Sequence, residues 1–309
     1  MTVQTKASHL IERAAKHLRG LEELAQSAPL PSAPLPSAPL PSAPSQAFPE
    51  QTPPLATPAP GVAVSDVAAP PTVEFQVLEQ AGMIPWGRKR ERVSEEFRLV
   101  QSQVLRQIDG AAKLATSATG LANLVMVTSA RPNEGKSFIS LNLAASIAHF
   151  GARPVLLVDA DAKHTSLTYH LNLMERPGLL EFGGGLAARL EDLIVPTRVE
   201  ALSVLPIGGF GQGRGELTAK VSVANAVERL TRRLGKMVVV LDAPPCLSTS
   251  DPSALAPVVG QVVFVVEAEQ TRRGEVEAAL DLIAPCPSIM LLLNKSQLTT
   301  NSTFGAYYY

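Results

Sequence analysis

Beyond residue 120 the chain alternates between two patterns. Six short apolar runs occur at residues 124–128, 154–159, 202–206, 237–242, 262–267 and 289–293. They are continuous rather than alternating, as strands buried on both faces are. Between them, residues 137–150, 216–234 and 272–283 space their apolar positions as helices do. Apolar strands followed by amphipathic helices predict a mostly parallel, doubly wound α/β sheet, with one domain over about 73–298. In such sheets ligands bind beyond the carboxyl ends of the strands.

The front of the chain reads differently. Leu10, Ala14, Leu18, Leu21 and Ala25 recur at helical spacing, with Arg13, Lys16, Arg19 and Glu22 between them. They predict a short amphipathic helix within residues 1–26. A helix this short is marginal alone in water, so it is expected to dock on its own domain or on a partner. Residues 27–72 hold 14 of the 26 prolines and only two charges, Glu50 and Asp66, with APLPS repeats starting at Ala28, Ala33 and Ala38. Proline fixes φ and removes an N–H donor, so this stretch reads as a disordered, semi-rigid spacer.

Bulk composition narrows the function classes. Apolar residues make up 46% and charged residues 18%, enough for a sizeable core. The net charge of -1 implies no bulk attraction to nucleic acid. The basic cluster Arg88, Lys89, Arg90 and Arg92 beside Trp86 reads as a solvated linker end. Cys246 and Cys286 are far apart and lack CxxC spacing, which fits a reducing cytosol and argues against a disulfide scaffold or zinc site. The opening residues show no signal core, and the apolar runs are too short to span a bilayer. A soluble cytoplasmic protein is expected, reaching the inner membrane only through a partner.

The chemistry is concentrated in three segments. In LVMVTSARPNEGKSFIS an apolar run leads into a loop, and a helix follows at once. This is the arrangement of a phosphate loop, in which backbone N–H groups and the positive end of a helix cradle phosphate oxygens. Lys136 is expected to reach the β/γ-phosphates and Ser137 to ligate Mg²⁺. The candidate nucleotide contacts are Ser129, Pro132, Asn133, Glu134, Gly135, Lys136, Ser137 and Phe138. Ser129 stands where the general pattern has glycine. MVVVLDAPP then supplies Asp242 at a strand end, an expected Mg²⁺ partner. VLLVDADAKH supplies Asp159 and Asp161, two apart, which in an extended chain would point the same way, toward the phosphates. One would sit near the metal while the other takes a proton from an attacking hydroxyl. Which of them is the base stays open.

The chain ends FGAYYY, after the polar stretch KSQLTTNST. Three of its four tyrosines are Tyr307, Tyr308 and Tyr309. Aromatics on a free tail gain little by packing, whereas phosphoacceptors benefit from reach. A flexible tail over 299–309 is therefore expected to be the substrate.

Together TSARPNEGKS with Asn142 to Ala144, VDADAKH, VVVLDAPP and the terminal tyrosines resemble the bacterial tyrosine kinases (BY-kinases) of capsule and exopolysaccharide systems. The resemblance runs over roughly residues 92–309. In that family the loop also opens with serine, and the opening HLIERAAKHL is similar to the subgroup found beside exosortase loci. The resemblance implies a fold related to the MinD/ParA ATPases, with Mg-ATP held by Lys136, Ser137, Asp159, Asp161 and Asp242. It implies a homo-oligomeric ring in which each tail is phosphorylated by a neighbour. It also implies a membrane activator of the chain-length-determinant type and a protein-tyrosine phosphatase. The family's ring contact is an ExxRxxR helix; here it reads Glu95 and Arg98, with Gln101 in place of the second arginine. Lys163 stands where members often have arginine, and Phe138 where they have threonine.

Two other functions share the loop. A MinD/ParA-like positioning ATPase would carry a lysine five residues before Lys136, where this chain has Arg131. A non-catalytic nucleotide-binding regulator would keep the pocket without the transfer.

Overall fold

The computed structural model describes residues 72–85, 92–114, 122–163, 165–185, 189–210, 220–235 and 237–296. The expected amino-terminal helix, all of the proline-rich spacer but its last residue, the cluster at Arg88, Lys89 and Arg90, and the tail with Tyr307, Tyr308 and Tyr309 lie outside the described residues.

Seven strands form one sheet: β1 (Leu124–Ser129), β2 (Val155–Asp159), β3 (Val195–Pro196), β4 (Leu202–Leu205), β5 (Val238–Asp242), β6 (Gln261–Glu267) and β7 (Ile289–Asn294). Their order across the sheet is β3-β4-β2-β5-β1-β6-β7. Every pairing is parallel except β3 with β4. The six expected strands are all present, each within one residue of its expected ends. Strand β3 has only two residues, one of them a proline that cannot donate to a ladder, so it belongs at an edge.

Eight helices surround the sheet among the described residues: α1 (Phe75–Gln80), α2 (Arg92–Leu114), α3 (Lys136–Gly151), α4 (Leu167–His170), α5 (Leu179–Gly183), α6 (Val223–Thr231), α7 (Asp251–Leu255) and α8 (Arg273–Ile283). The expected helix over 216–234 is shorter at both ends, since α6 begins at Val223 and stops at Thr231, while residues 216–219 lie outside the described residues. The strands send alternate residues into two cores. Val125, Val127, Leu157, Val240 and Val263 join the core that holds α2 and α3. Met126, Leu156, Val158, Leu241 and Phe264 join the core that holds α6 and α8. Period-2 alternation with apolar residues on both faces gives the continuous runs seen in the sequence.

Helix α3 is wrapped by the protein on every side: residues 139 to 148 are all buried. A helix apolar all round must be packed all round. One wall is the sheet and another is α2, which buries Phe97, Gln101, Val104 and Ile108. Gln101, which replaces the second arginine of the family's contact motif, is 7% exposed and hydrogen-bonded to the Ser146 hydroxyl at 2.7 Å, so it faces its own α3. An arginine there would need a buried counter-charge, which a neutral amide does not. Asn142 also works inside the domain. Its amide donates to the Gly82 and Phe138 carbonyls and accepts from the Ile84 N–H, tying residues 82–84 to α3.

Burial sets the expected stability effects. Phe264 is fully buried, whereas Leu291 on the open edge of the sheet is 58% exposed. Phe264→Ala is expected to lower the unfolding free energy by about 3–5 kcal/mol and Leu291→Ala by under about 0.5, read from urea midpoints.

Candidate functional site

Parallel pairing brings three strand ends together. Asp159 and Asp242 are in register on β2 and β5, and Val127 of β1 pairs with Asp242. Strand β1 runs out at Ser129 into a six-residue loop, and α3 begins at Lys136. The loop turns through left-handed backbone at Asn133 (φ 67°) and Gly135 (φ 97°). At Gly135 a side chain has no room: its Cβ would lie 2.1 Å from Asn294 Nδ2. The segment after Asp242 runs alongside, with the Cys246 N–H on the Ser129 carbonyl at 2.8 Å and the Thr128 hydroxyl on the Pro244 carbonyl at 2.7 Å.

A cavity of about 310 Å³ opens over the amino end of α3. Pro132, Asn133, Gly135, Lys136, Ser137 and Phe138 line one side, and Asp161, Lys163, Thr165, His170 and Pro245 the other. The predicted loop contacts therefore converge, with two exceptions. Ser129 is buried, and its hydroxyl donates to the Arg131 carbonyl inside the loop. The Glu134 side chain turns away from the cavity to accept the Arg131 N–H at 2.7 Å and the Thr271 hydroxyl. Phe138 reaches back to α2, edge-on to Phe97 with ring centroids 5.9 Å apart. Its ring joins α3 to α2 at the position where the family resemblance led one to expect a hydroxyl.

The carboxylates divide the work differently from the sequence expectation. Asp161 lines the cavity and holds Lys136 at 2.9 Å. Asp159 is fully buried and accepts the Asp161 N–H at 3.0 Å and the Thr168 N–H at 2.7 Å. Of the two, only Asp161 lines the cavity, since β2 stops at Asp159 and period 2 no longer applies beyond it. Asp242 accepts the Ser140 hydroxyl at 3.0 Å through Oδ1, while its buried Oδ2 has no hydrogen-bond partner.

These charges shift one another. Burial pushes the Asp242 carboxyl up from 3.8 to about 6; Lys136 opposes that, Asp159 adds to it, and the Ser137 and Ser140 hydroxyls oppose it. Burial raises Asp159 as well, against its hydrogen bonds from the Thr168 and Asp161 N–H groups. For Lys136, burial favours the neutral amine, but Asp242, Asp161 and Asp159 outweigh it and raise the pKa. Lys136 is therefore held as a cation.

The donor set suits a nucleotide with a hard divalent metal. A buried carboxylate oxygen left without a partner, beside a serine hydroxyl, is what Mg²⁺ seeks, since it prefers oxygen ligands. The loop, the cation and the helix terminus suit anionic phosphates. Sequence reasoning missed Ser140, Thr165, Thr168, His170 and Pro245. Ser140 lies one turn beyond Lys136, so helical spacing could have flagged it; Thr165 and Pro245 lie on loops, and Thr168 and His170 on the four-residue α4, too short to carry a pattern. Glu95 and Arg98 are both about half exposed on α2 and pair with each other at 3.2 Å. Arg98 also lies over the Phe150 ring, 4.7 Å from its centroid.

No protein-family model matches the chain. CapB of Staphylococcus aureus is 27% identical over 223 residues, 72% of this chain and 92% of that protein. The tyrosine-protein kinase ptk of Acinetobacter johnsonii is 32% identical over 159 residues, 52% of this chain and 21% of ptk. The succinoglycan biosynthesis transport protein ExoP of Rhizobium meliloti is 35% identical over 149 residues, 47% of this chain. The chain thus spans nearly all of CapB but only 21% of ptk and 18% of ExoP. Among solved structures, the chimerical protein CapA2B2 superposes with a TM-score of 0.52 at 25% identity, covering 72% of this chain and 93% of that one.

The raised Asp242 predicts a pH signature. A carboxyl that holds its proton more tightly when folded stabilises the fold at low pH. That stability falls as pH climbs from about 4 to about 6, by up to about 3 kcal/mol, and is level above. Asp159 acts in the same direction. In metal-free buffer, Asp242→Asn is expected to flatten this slope, measured as urea midpoints at about pH 4.5 and pH 7.

Proposed function

We propose, from the premise that this chain belongs to the bacterial tyrosine kinases, that it transfers the terminal phosphoryl group of Mg-ATP to tyrosine, with Tyr307, Tyr308 and Tyr309 as its own acceptors. The observation that carries this is the Lys136–Asp161 pair, 2.9 Å apart at the head of α3, beside the unpartnered Oδ2 of Asp242.

The residues have separable roles. Lys136, held as a cation, draws the β/γ-phosphates onto the loop and steadies charge on the phosphoryl oxygens during transfer. Ser137 and Asp242, joined by Asp161, are the metal-binding set. Mg²⁺, when bound, neutralises charge on the phosphates. Asp161 is the carboxylate that lines the cavity, and it takes the tyrosyl proton as the new O–P bond forms and the bond to the bridging oxygen of the leaving diphosphate breaks. Asp159 already accepts two N–H donors, and it positions the 160–168 segment rather than receiving that proton.

A tail attached beyond β7 is suited to a neighbour's cavity in a ring, with Glu95 and Arg98 on the outer face of α2 as the candidate contact. Exopolysaccharide synthesis or export is the proposed setting, supported by the likeness to ExoP. Among the described residues no helix is long and apolar enough to cross a membrane. The proposed membrane attachment is through a chain-length-determinant-type activator, with the helix within residues 1–26 on its proline tether as the docking element. A protein-tyrosine phosphatase would reset the tail.

Incubation with Mg-ATP followed by anti-phosphotyrosine detection tests the reading. A signal is expected that Lys136→Met abolishes and that removal of residues 307–309 largely abolishes. ATP turnover without phosphotyrosine would instead indicate a positioning ATPase, and nucleotide binding alone a regulator.

A further inference from the structure

The phosphate loop is braced from behind by residues that come from the far end of the sequence. Asn294, the last residue of β7, donates from Nδ2 to the Glu134 carbonyl at 2.9 Å. Lys295 donates to the Asn133 carbonyl at 2.7 Å and pairs with Glu267 at 3.1 Å. The Glu134 side chain is 2% exposed, and its carboxylate joins the Arg131 N–H to the Thr271 hydroxyl. Thr271 in turn accepts the Glu267 N–H at 3.1 Å. Three elements meet here: the loop, the β6–α8 connection and the end of β7.

The bracing has a direction. In a trans peptide the C=O of one residue and the N–H of the next point opposite ways. The carbonyls of Asn133 and Glu134 are drawn outward, to Lys295 and Asn294. The N–H groups of Glu134 and Gly135 must then point inward, to the side where Pro132, Gly135 and Lys136 line the cavity. Neither N–H donates to any group among the described residues. Inward, unpaired donors at a helix start are what a phosphate oxygen needs. Gly135 lets this happen, since a side chain there would displace the Asn294 amide.

We propose that Asn294 and Thr271 are positioning residues for phosphate. Asn294 orients the Gly135 N–H group through the outward Glu134 carbonyl. Thr271 does so by anchoring the Glu134 carboxylate that pins the loop. Neither lines the cavity over the amino end of α3. The proposal rests on the nucleotide-binding reading above.

Titration of the full chain with fluorescent ADP tests it, with tripolyphosphate as a competitor lacking base and sugar. Asn294→Ala and Thr271→Val are each expected to weaken ADP by about tenfold, the loss of one hydrogen bond's worth of order in the loop. Tripolyphosphate should weaken by the same factor, because the effect is on phosphate donors. Thr271→Ser, which keeps the hydroxyl, should restore binding to within about twofold. Three results overturn the proposal: parental ADP affinity in the variants, ADP weakened while tripolyphosphate is untouched, or no rescue by serine. A parental protein that binds neither probe overturns the nucleotide-binding reading itself, and the proposal with it.

Discussion

Four charges share one poorly hydrated place: Lys136 with Asp159, Asp161 and Asp242. A buried ion is costly to hold without a partner, and three carboxylates around one ammonium leave an excess of negative charge. The imbalance is absorbed in distinct ways. Asp161 takes the direct ion pair, Asp159 is quenched by two backbone N–H donors, and Asp242 moves toward its protonated form. The arrangement asks for added positive charge, and it asks for it at Asp242 Oδ2. Parallel pairing of β2, β5 and β1 enforces this crowding, because it sets Asp159 beside Asp242 and starts α3 over both.

The rest of the domain can be understood as support for that crowding. The acidic ends of β2 and β5 sit side by side in a sheet packed on both faces, by two separate apolar cores. Helix α3 carries Lys136 at its first position, so its own burial fixes where the cation sits. The loop before it is steadied by Thr271, Asn294 and Lys295, none of which comes from a strand that bears an acid. Acidic groups and loop braces thus come from opposite sides of β1, which stands between β5 and β6.

Much of this was legible in the sequence, for physical reasons. Strands buried on both faces announce themselves as unbroken apolar runs, so six of the seven were apparent, whereas Val195–Pro196 is too short to carry a pattern. The loop and Asp242 were apparent because strand, turn and helix are contiguous. Where reasoning failed, it extended a local rule past its end. Asp159 and Asp161 were aligned by strand periodicity, yet the strand ends between them. Glu134 was counted with the phosphate contacts by position, though its carboxylate turns outward to Thr271, 137 residues away. The Asn294 brace spans 160 residues and had no local signal at all.

The enclosure of α3 over residues 139 to 148 restricts how the protein can respond to what it binds. A rod sealed between a sheet and another helix cannot tilt or slide without opening voids on several sides at once. Bending there is foreclosed, so whatever binds at its amino end meets a fixed rod, and the adjustment falls to exposed side chains at the cavity rim such as Lys163 and Thr165.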